Sequence, residues 1–93
     1  MEGYMHSIKI EKIDNQEVEK RNLKSWGIWE KEASEFDWAY TDEEHCYIIE
    51  GAAEVESDDG TVAIEKGDYV IFPAGLKCRW KVTQPMRKYY DFK

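Results

Sequence analysis

From residue 28 to the C-terminus, short apolar runs alternate with clusters of turn-forming residues. One run shows its two faces clearly. Leu76, Cys78, Trp80 and Val82 alternate with Lys77, Arg79, Lys81 and Thr83. A period of two places the first set inside and the second in water, so Cys78 and Trp80 are predicted to point inward. Upstream, Glu44, Cys46 and Ile48 share one face, and His45, Tyr47 and Ile49 share the other. Both faces carry apolar groups, so alternation alone does not select the interior one. Strands are predicted over 45–50, 52–57, 61–65, 69–72, 76–83 and 86–92, with residues 29–40 as one long bent strand or two short ones. Asp58-Asp59-Gly60 is a hairpin signal, Lys66-Gly67-Asp68 and Pro73-Ala74-Gly75 are turns, and Gln84-Pro85 is read as a break. Strands this short with turns this frequent indicate an all-β barrel or sandwich. Before them, Asp14 with Glu17 three residues on resembles a capping box, which predicts a short helical turn over 15–22.

Composition narrows the picture. Ninety-three residues make one domain, 1–93, with its core over about 28–92 and an N-terminal strand/turn extension over 1–27. A chain this short buries only about 60–65% of its unfolded surface. Four Trp, six Tyr and three Phe suit that constraint, because aromatics bury the most area per residue. A net charge of −7 argues against nucleic acid as a partner. No apolar run nears the roughly 18 residues of a membrane span, and the first ten residues lack a signal pattern. A cytoplasmic protein with two free thiols is therefore expected, and no membrane partner. His6 is given no role.

The run from Gly67 through Pro73 and Gly75 to Cys78 resembles the second cupin motif, which reads Gly, five residues, Pro, one residue, Gly, two residues, His. Each fixed position matches except the last, where Cys78 stands. The run Glu44 to Gly51 resembles the end of the first cupin motif, with Glu44 at the metal-ligand carboxylate position. The text GDYVIFPAGLKCRWKV followed by PMRKYY is similar to the small cupins grouped with (S)-ureidoglycine aminohydrolase and the ethanolamine-utilisation EutQ proteins. The resemblance covers about residues 28–92. It implies an antiparallel cupin barrel (a double-stranded β-helix, or jelly roll) with its site inside the barrel, and in the aminohydrolase that site holds Mn²⁺.

The sequence departs from that pattern at the metal positions. The two first-motif His positions fall on Asp37 and Ala39, or on Trp38 and Tyr40 with the shorter spacing, and neither choice supplies imidazole. At most Glu44, Cys78 and Asp37 remain, a poor set for a hard divalent ion. No metal cofactor is expected; the alternative is Mn or Zn held by Glu44 and Cys78. His45 neighbours Glu44 and so faces the other way, as a surface or inter-sheet residue. Cys46 and Cys78 both line the barrel as small packing groups, since no cation or helix terminus that would activate a thiol is evident. Trp38, Tyr40, Trp80 and Tyr90 are candidates for an aromatic pocket around Glu44. Lys77, Arg79 and Lys81, with Arg87 and Lys88, are read as a solvated strand face pairing with Glu30, Glu32 or Glu35. No cation is then expected to reach Glu44, and Glu44→Gln is expected to be neutral or stabilising near neutral pH.

Three functions follow. The first is metal-free binding of a small, planar, polar molecule at Glu44, Cys46, Cys78, Trp38, Tyr40, Trp80 and Tyr90. The second is a metal-dependent hydrolase or lyase similar to the aminohydrolase. The third is a structural or dimerisation module with a filled barrel, and a homodimer is open in each case.

Overall fold

The structure, a computed structural model, describes residues 8–93; the readings of the first seven residues, His6 among them, lie outside the described residues. Among these residues, seven antiparallel strands form one sheet: β1 Lys9–Lys12, β2 Gly27–Lys31, β3 Ser34–Ala39, β4 Glu44–Ser57, β5 Gly60–Glu65, β6 Asp68–Phe72 and β7 Lys77–Phe92. One helix, α1 (Asn15–Lys20), and a 3-10 turn (Leu23–Ser25) precede β2. The short helix is capped as its sequence predicts, with the Asp14 carboxylate accepting from the Glu17 N–H at 2.9 Å. The Glu17 side chain does not close the box; it accepts from Arg21 Nε at 2.7 Å, one turn on.

The two long strands organise the rest. β4 and β7 pair along most of their length. Beside this ladder, the first part of β4 pairs with β6, and β6 with β1; the last part of β4 pairs with β5. β7 pairs with β3 through its first part and with β2 through its last. The sheet is thus two half-sheets joined by two shared strands, and their inner faces meet in one core that includes Phe72 and Trp80.

The joint is a set of register shifts between Ile48 and Ala53. Before it the inward residues of β4 are Glu44, Cys46 and Ile48; after it they are Ala53 and Val55. Such irregularities bend a strand. Gly51 sits in the bend at φ +91°, where an added Cβ would lie 2.3 Å from the Pro85 carbonyl oxygen and 2.7 Å from Met86 Cα. Only glycine lets the two backbones approach so closely. Pro85 has no partner in either ladder, so its missing N–H costs no hydrogen bond. The Gln84-Pro85 break read from the sequence is therefore a bend within one strand, and the predicted segments over 45–50 and 52–57 are likewise one strand.

The ambiguity over β4 also has a structural reason. Before the bend its even-numbered face enters the main core, while Tyr47 on the other face is buried in a second cluster with Ile13, Val18 and Leu23, under the helical turns. Both faces are covered, so both are apolar. The segment before residue 28 is part of the packed fold: β1 pairs with β6, and Lys12 bonds the buried Asp68 at 2.9 Å.

The close approach at the bend predicts a contrast between two glycines that both have positive φ. Gly60, at φ +121°, has open space around its Cβ direction. Gly60→Ala should cost about 1 kcal/mol of backbone strain. Gly51→Ala adds a clash with backbone and should cost at least about 3 kcal/mol. Urea unfolding measures both, and equal losses would show that the Gly51–Pro85 approach does not constrain the bend.

Candidate functional site

The inward face of β7 keeps its parity through the bend: Cys78, Trp80, Val82, Met86 and Lys88 are all buried. Lys88 is therefore an interior lysine, 5% exposed, and not a member of the solvated stripe. Its Nζ donates to Glu44 Oε2 at 2.7 Å, and Glu44 is itself 3% exposed. The other carboxylate oxygen, Oε1, accepts from the Tyr40 hydroxyl at 2.6 Å. Tyr40 lies stacked on Phe72, with ring centroids 5.0 Å apart. Its burial and then the neighbouring Glu44 charge push its hydroxyl well above the ordinary tyrosine range, so it stays a donor.

Aromatic faces surround the ammonium. Lys88 Nζ lies 4.8 Å from the Trp29 ring centroid and 4.7 Å from that of Trp80. Ring faces attract cations, by about 2 kcal/mol or more when water is excluded. Phe36, opposite Trp80 in the β3–β7 ladder, stacks on it at 6.1 Å. Gly27 faces Tyr90, and a Cβ there would lie 2.8 Å from the Tyr90 ring; the glycine leaves that ring its place. A cavity of about 230 Å³ opens above the ion pair. Trp29, Phe36, Trp80, Tyr40 and Tyr90 wall it, with Glu44 and Lys88 in the lining. Trp38 (49% exposed) and Phe92 (46%) stand at its rim.

Of the residues singled out in the sequence, Glu44, Trp38, Tyr40, Trp80 and Tyr90 converge on this cavity. Cys46 and Cys78 do not line it; both pack in the hydrophobic core as free thiols. Burial pushes the Cys46 thiol up to about 12 and the Cys78 thiol to about 11. Lys88 lowers each and Glu44 raises each, as smaller effects. Asp37 lies outside, 2.9 Å from Arg79 Nη1. His45 bridges the Tyr69 hydroxyl at 2.7 Å and Glu43 at 2.6 Å, away from the cavity. The rest of the basic stripe behaves as read: Arg79 pairs with Glu35 and Asp37, and Arg87 with Glu30, across strands. Lys88, Trp29, Phe36 and Phe92 were missed. Continuing the β7 alternation across Pro85 is the signal that finds Lys88.

The residues at the cupin metal positions do not fit a divalent ion. Both Glu44 oxygens are engaged, one by an ammonium. The Cys78 thiol is protonated at neutral pH, and Asp37 is on the outer surface. Among the described residues no group of three or more His, Cys, Asp or Glu side chains is placed to hold a metal.

Comparison with known proteins agrees with this architecture. The pattern of the EutQ-like cupin domain matches residues 18–90, so the chain belongs to that family. Among solved structures, a DUF861 family protein from Thermotoga maritima is 51% identical, with a TM-score of 0.89, over 94% of this chain and 100% of its own. A DUF861 protein of unknown function from Pseudomonas syringae is 26% identical, with a TM-score of 0.65, over 72% of this chain, which spans only 29% of that longer one. The EutQ protein of Clostridium difficile shares the fold at 22% identity, with a TM-score of 0.66, over 91% of this chain and 66% of its own. No curated protein matches. No helix among the described residues is long and apolar enough to cross a membrane.

The ion pair and the thiols can each be tested. Lys88→Met leaves Glu44 a buried unpaired charge, and Glu44→Gln leaves Lys88 one; each should cost about 3–5 kcal/mol. Glu44→Gln is thus expected to destabilise, reversing the expectation drawn when no cation was placed near it. Combining the two should recover much of the loss, and a double-mutant cycle in urea measures the coupling; additive losses would mean that the pair is not a unit. The thiols give a sign in pH. Their folded values lie above the ordinary 9.0, so the stability they contribute is present below about pH 9 and is lost as pH rises toward 11 and 12. In the native state near neutral pH both thiols should react with a thiol reagent only as fast as the protein opens. A fast, stoichiometric native reaction at Cys78 would contradict its placement in the core.

Proposed function

We propose that this EutQ-like cupin binds a small, planar, uncharged molecule carrying a hydrogen-bond acceptor in its aromatic pocket, without a divalent metal. The observation that carries this reading is the Lys88 ammonium. It is held between two indole faces, and among the described residues its single hydrogen-bond partner is Glu44. An ammonium has three donors, so two remain for a carbonyl oxygen, a ring nitrogen or water. The aromatic walls supply stacking surfaces for a flat molecule.

Size and charge narrow the ligand. A cavity of about 150 Å³ is enough for benzene, so about 230 Å³ takes one ring with a small substituent. Glu44 already balances the charge of Lys88. An anionic ligand would add a second negative charge beside Glu44 in a poorly solvated pocket, and the protein's net charge of −7 also opposes it. A neutral acceptor avoids both costs. A filled structural module accounts less well for an open, aromatic-walled cavity with a lysine in its wall. The free thiols of Cys46 and Cys78 suit a reducing, cytoplasmic setting.

Trp29, Trp38 and Trp80 line the pocket, so intrinsic fluorescence should report its occupancy. Benzamide is expected to bind saturably, and benzoate at least about tenfold more weakly, a difference of about 1.4 kcal/mol. Lys88→Met should remove the benzamide response, and added Mn²⁺ should not change it. No saturable response to the neutral ring, or binding that appears only with stoichiometric Mn²⁺, would overturn the reading.

A further inference from the structure

We infer that Lys88 is a nucleophile that forms a protonated imine with a small planar aldehyde or ketone bound in the aromatic pocket, with Glu44 carrying the proton. The inference rests on the pocket reading above and assigns it a substrate class and a reaction. Three observations carry it. Lys88 lines a cavity that opens to solvent, so a carbonyl carbon that enters can meet its Nζ. Glu44 Oε2 lies 2.7 Å from that nitrogen, within reach of direct proton transfer. The Tyr40 hydroxyl fixes the carboxylate through Oε1, which leaves Oε2 turned to the lysine.

The step balances without any other reactant. Glu44 Oε2 takes a proton from the ammonium, giving a neutral amine and a carboxylic acid. The amine lone pair attacks the carbonyl carbon, and the carbon–oxygen π pair moves to oxygen. One N–H proton passes to that oxygen to give the carbinolamine. Glu44 then returns its proton to the hydroxyl, the nitrogen lone pair forms the C=N bond, and water leaves. The product is an iminium beside a carboxylate. Nothing is oxidised or reduced, and the charge of the site is unchanged.

The same features that hold the ammonium also suit the product. The iminium keeps one positive charge at the nitrogen position, where the Trp29 and Trp80 faces and the Glu44 carboxylate already hold a cation. A reaction that preserves the charge pattern needs no reorganisation of the surrounding dipoles. A lysine in an apolar pocket beside a proton acceptor is the kind of group that forms Schiff bases. Lys12, Lys24 and Lys93 are all far more exposed and have no such aromatic pocket around them.

The test is reductive trapping of the whole chain with benzaldehyde and cyanoborohydride, followed by peptide mass spectrometry. Lys88 should take up one equivalent ahead of the exposed lysines. Benzamide, which occupies the pocket but forms no imine, should slow that labelling. Lys88→Arg keeps the charge and should carry no adduct at position 88. Glu44→Gln should slow labelling at Lys88 by about 10²-fold, the usual size of a lost acid–base partner. Adducts confined to surface lysines of the native protein, with benzamide still bound, would overturn the imine and leave the pocket reading standing. Loss of both benzamide binding and Lys88 labelling would overturn the two together.

Discussion

The interior depends on keeping one ammonium out of water. Removing an ion from water costs several kcal/mol even after the protein relaxes. Lys88 is nonetheless buried, and the surrounding structure is arranged to compensate. Glu44 supplies the opposite charge at 2.7 Å, Tyr40 holds that carboxylate in place, and Trp29 and Trp80 present their faces to the nitrogen. These partners come from four places in the chain, on β2, just after β3, on β4 and on β7 itself. Glu44, Lys88 and Trp29 belong to one half-sheet, and Trp80 to the other beside β3, so the cation cluster as a whole spans the two half-sheets.

The position of Trp80 shows how closely this site is linked to the fold. Trp80 and Lys88 lie on the same strand, eight residues apart, with the same parity. In a straight strand their Cα atoms would stand about 26 Å apart, far beyond the reach of a lysine side chain. The observed 4.7 Å from Nζ to the Trp80 ring requires β7 to bend sharply between them. The bend lies at Pro85, against Gly51 and the register shifts of β4. A backbone device thus creates the cation site, which is why a glycine outside the pocket lining matters to it.

Much of the fold was legible because turn chemistry and strand period act locally. The glycine and proline turns, the hairpin at Asp58-Asp59-Gly60 and the inward set Leu76, Cys78, Trp80 and Val82 all follow from short-range rules. The spacing of the cupin motif located Glu44, and Tyr40 and Trp80 followed from its neighbourhood. What was hidden was long-range. Pro85 signals a break by its own chemistry, and only the facing irregularity in β4 lets the strand continue through it. Once the strand is broken there, Lys88 loses its phase with Trp80 and joins the basic stripe by composition. The two faces of β4 were undecidable for a related reason, since the helical turns that bury Tyr47 come from an N-terminal segment that alternation within β4 cannot report.

An ammonium paired with the carboxylate at the cupin metal position gives a barrel a different chemistry from a divalent ion there. A divalent ion beside one carboxylate leaves a net positive centre, which draws anions and polarises their oxygens. A lysine beside the same carboxylate leaves no net charge, and its nitrogen carries exchangeable protons in addition to a field. On the proposed reading, discrimination shifts from charge to shape and hydrogen bonding, with flat aromatic walls favouring planar molecules and the N–H donors of Lys88 favouring an acceptor. The lysine also offers what a metal ion does not, a nitrogen that can give its proton to Glu44 and bond to carbon. Under the two proposals, the step from binding to reaction is one proton moving across the 2.7 Å between Lys88 and Glu44.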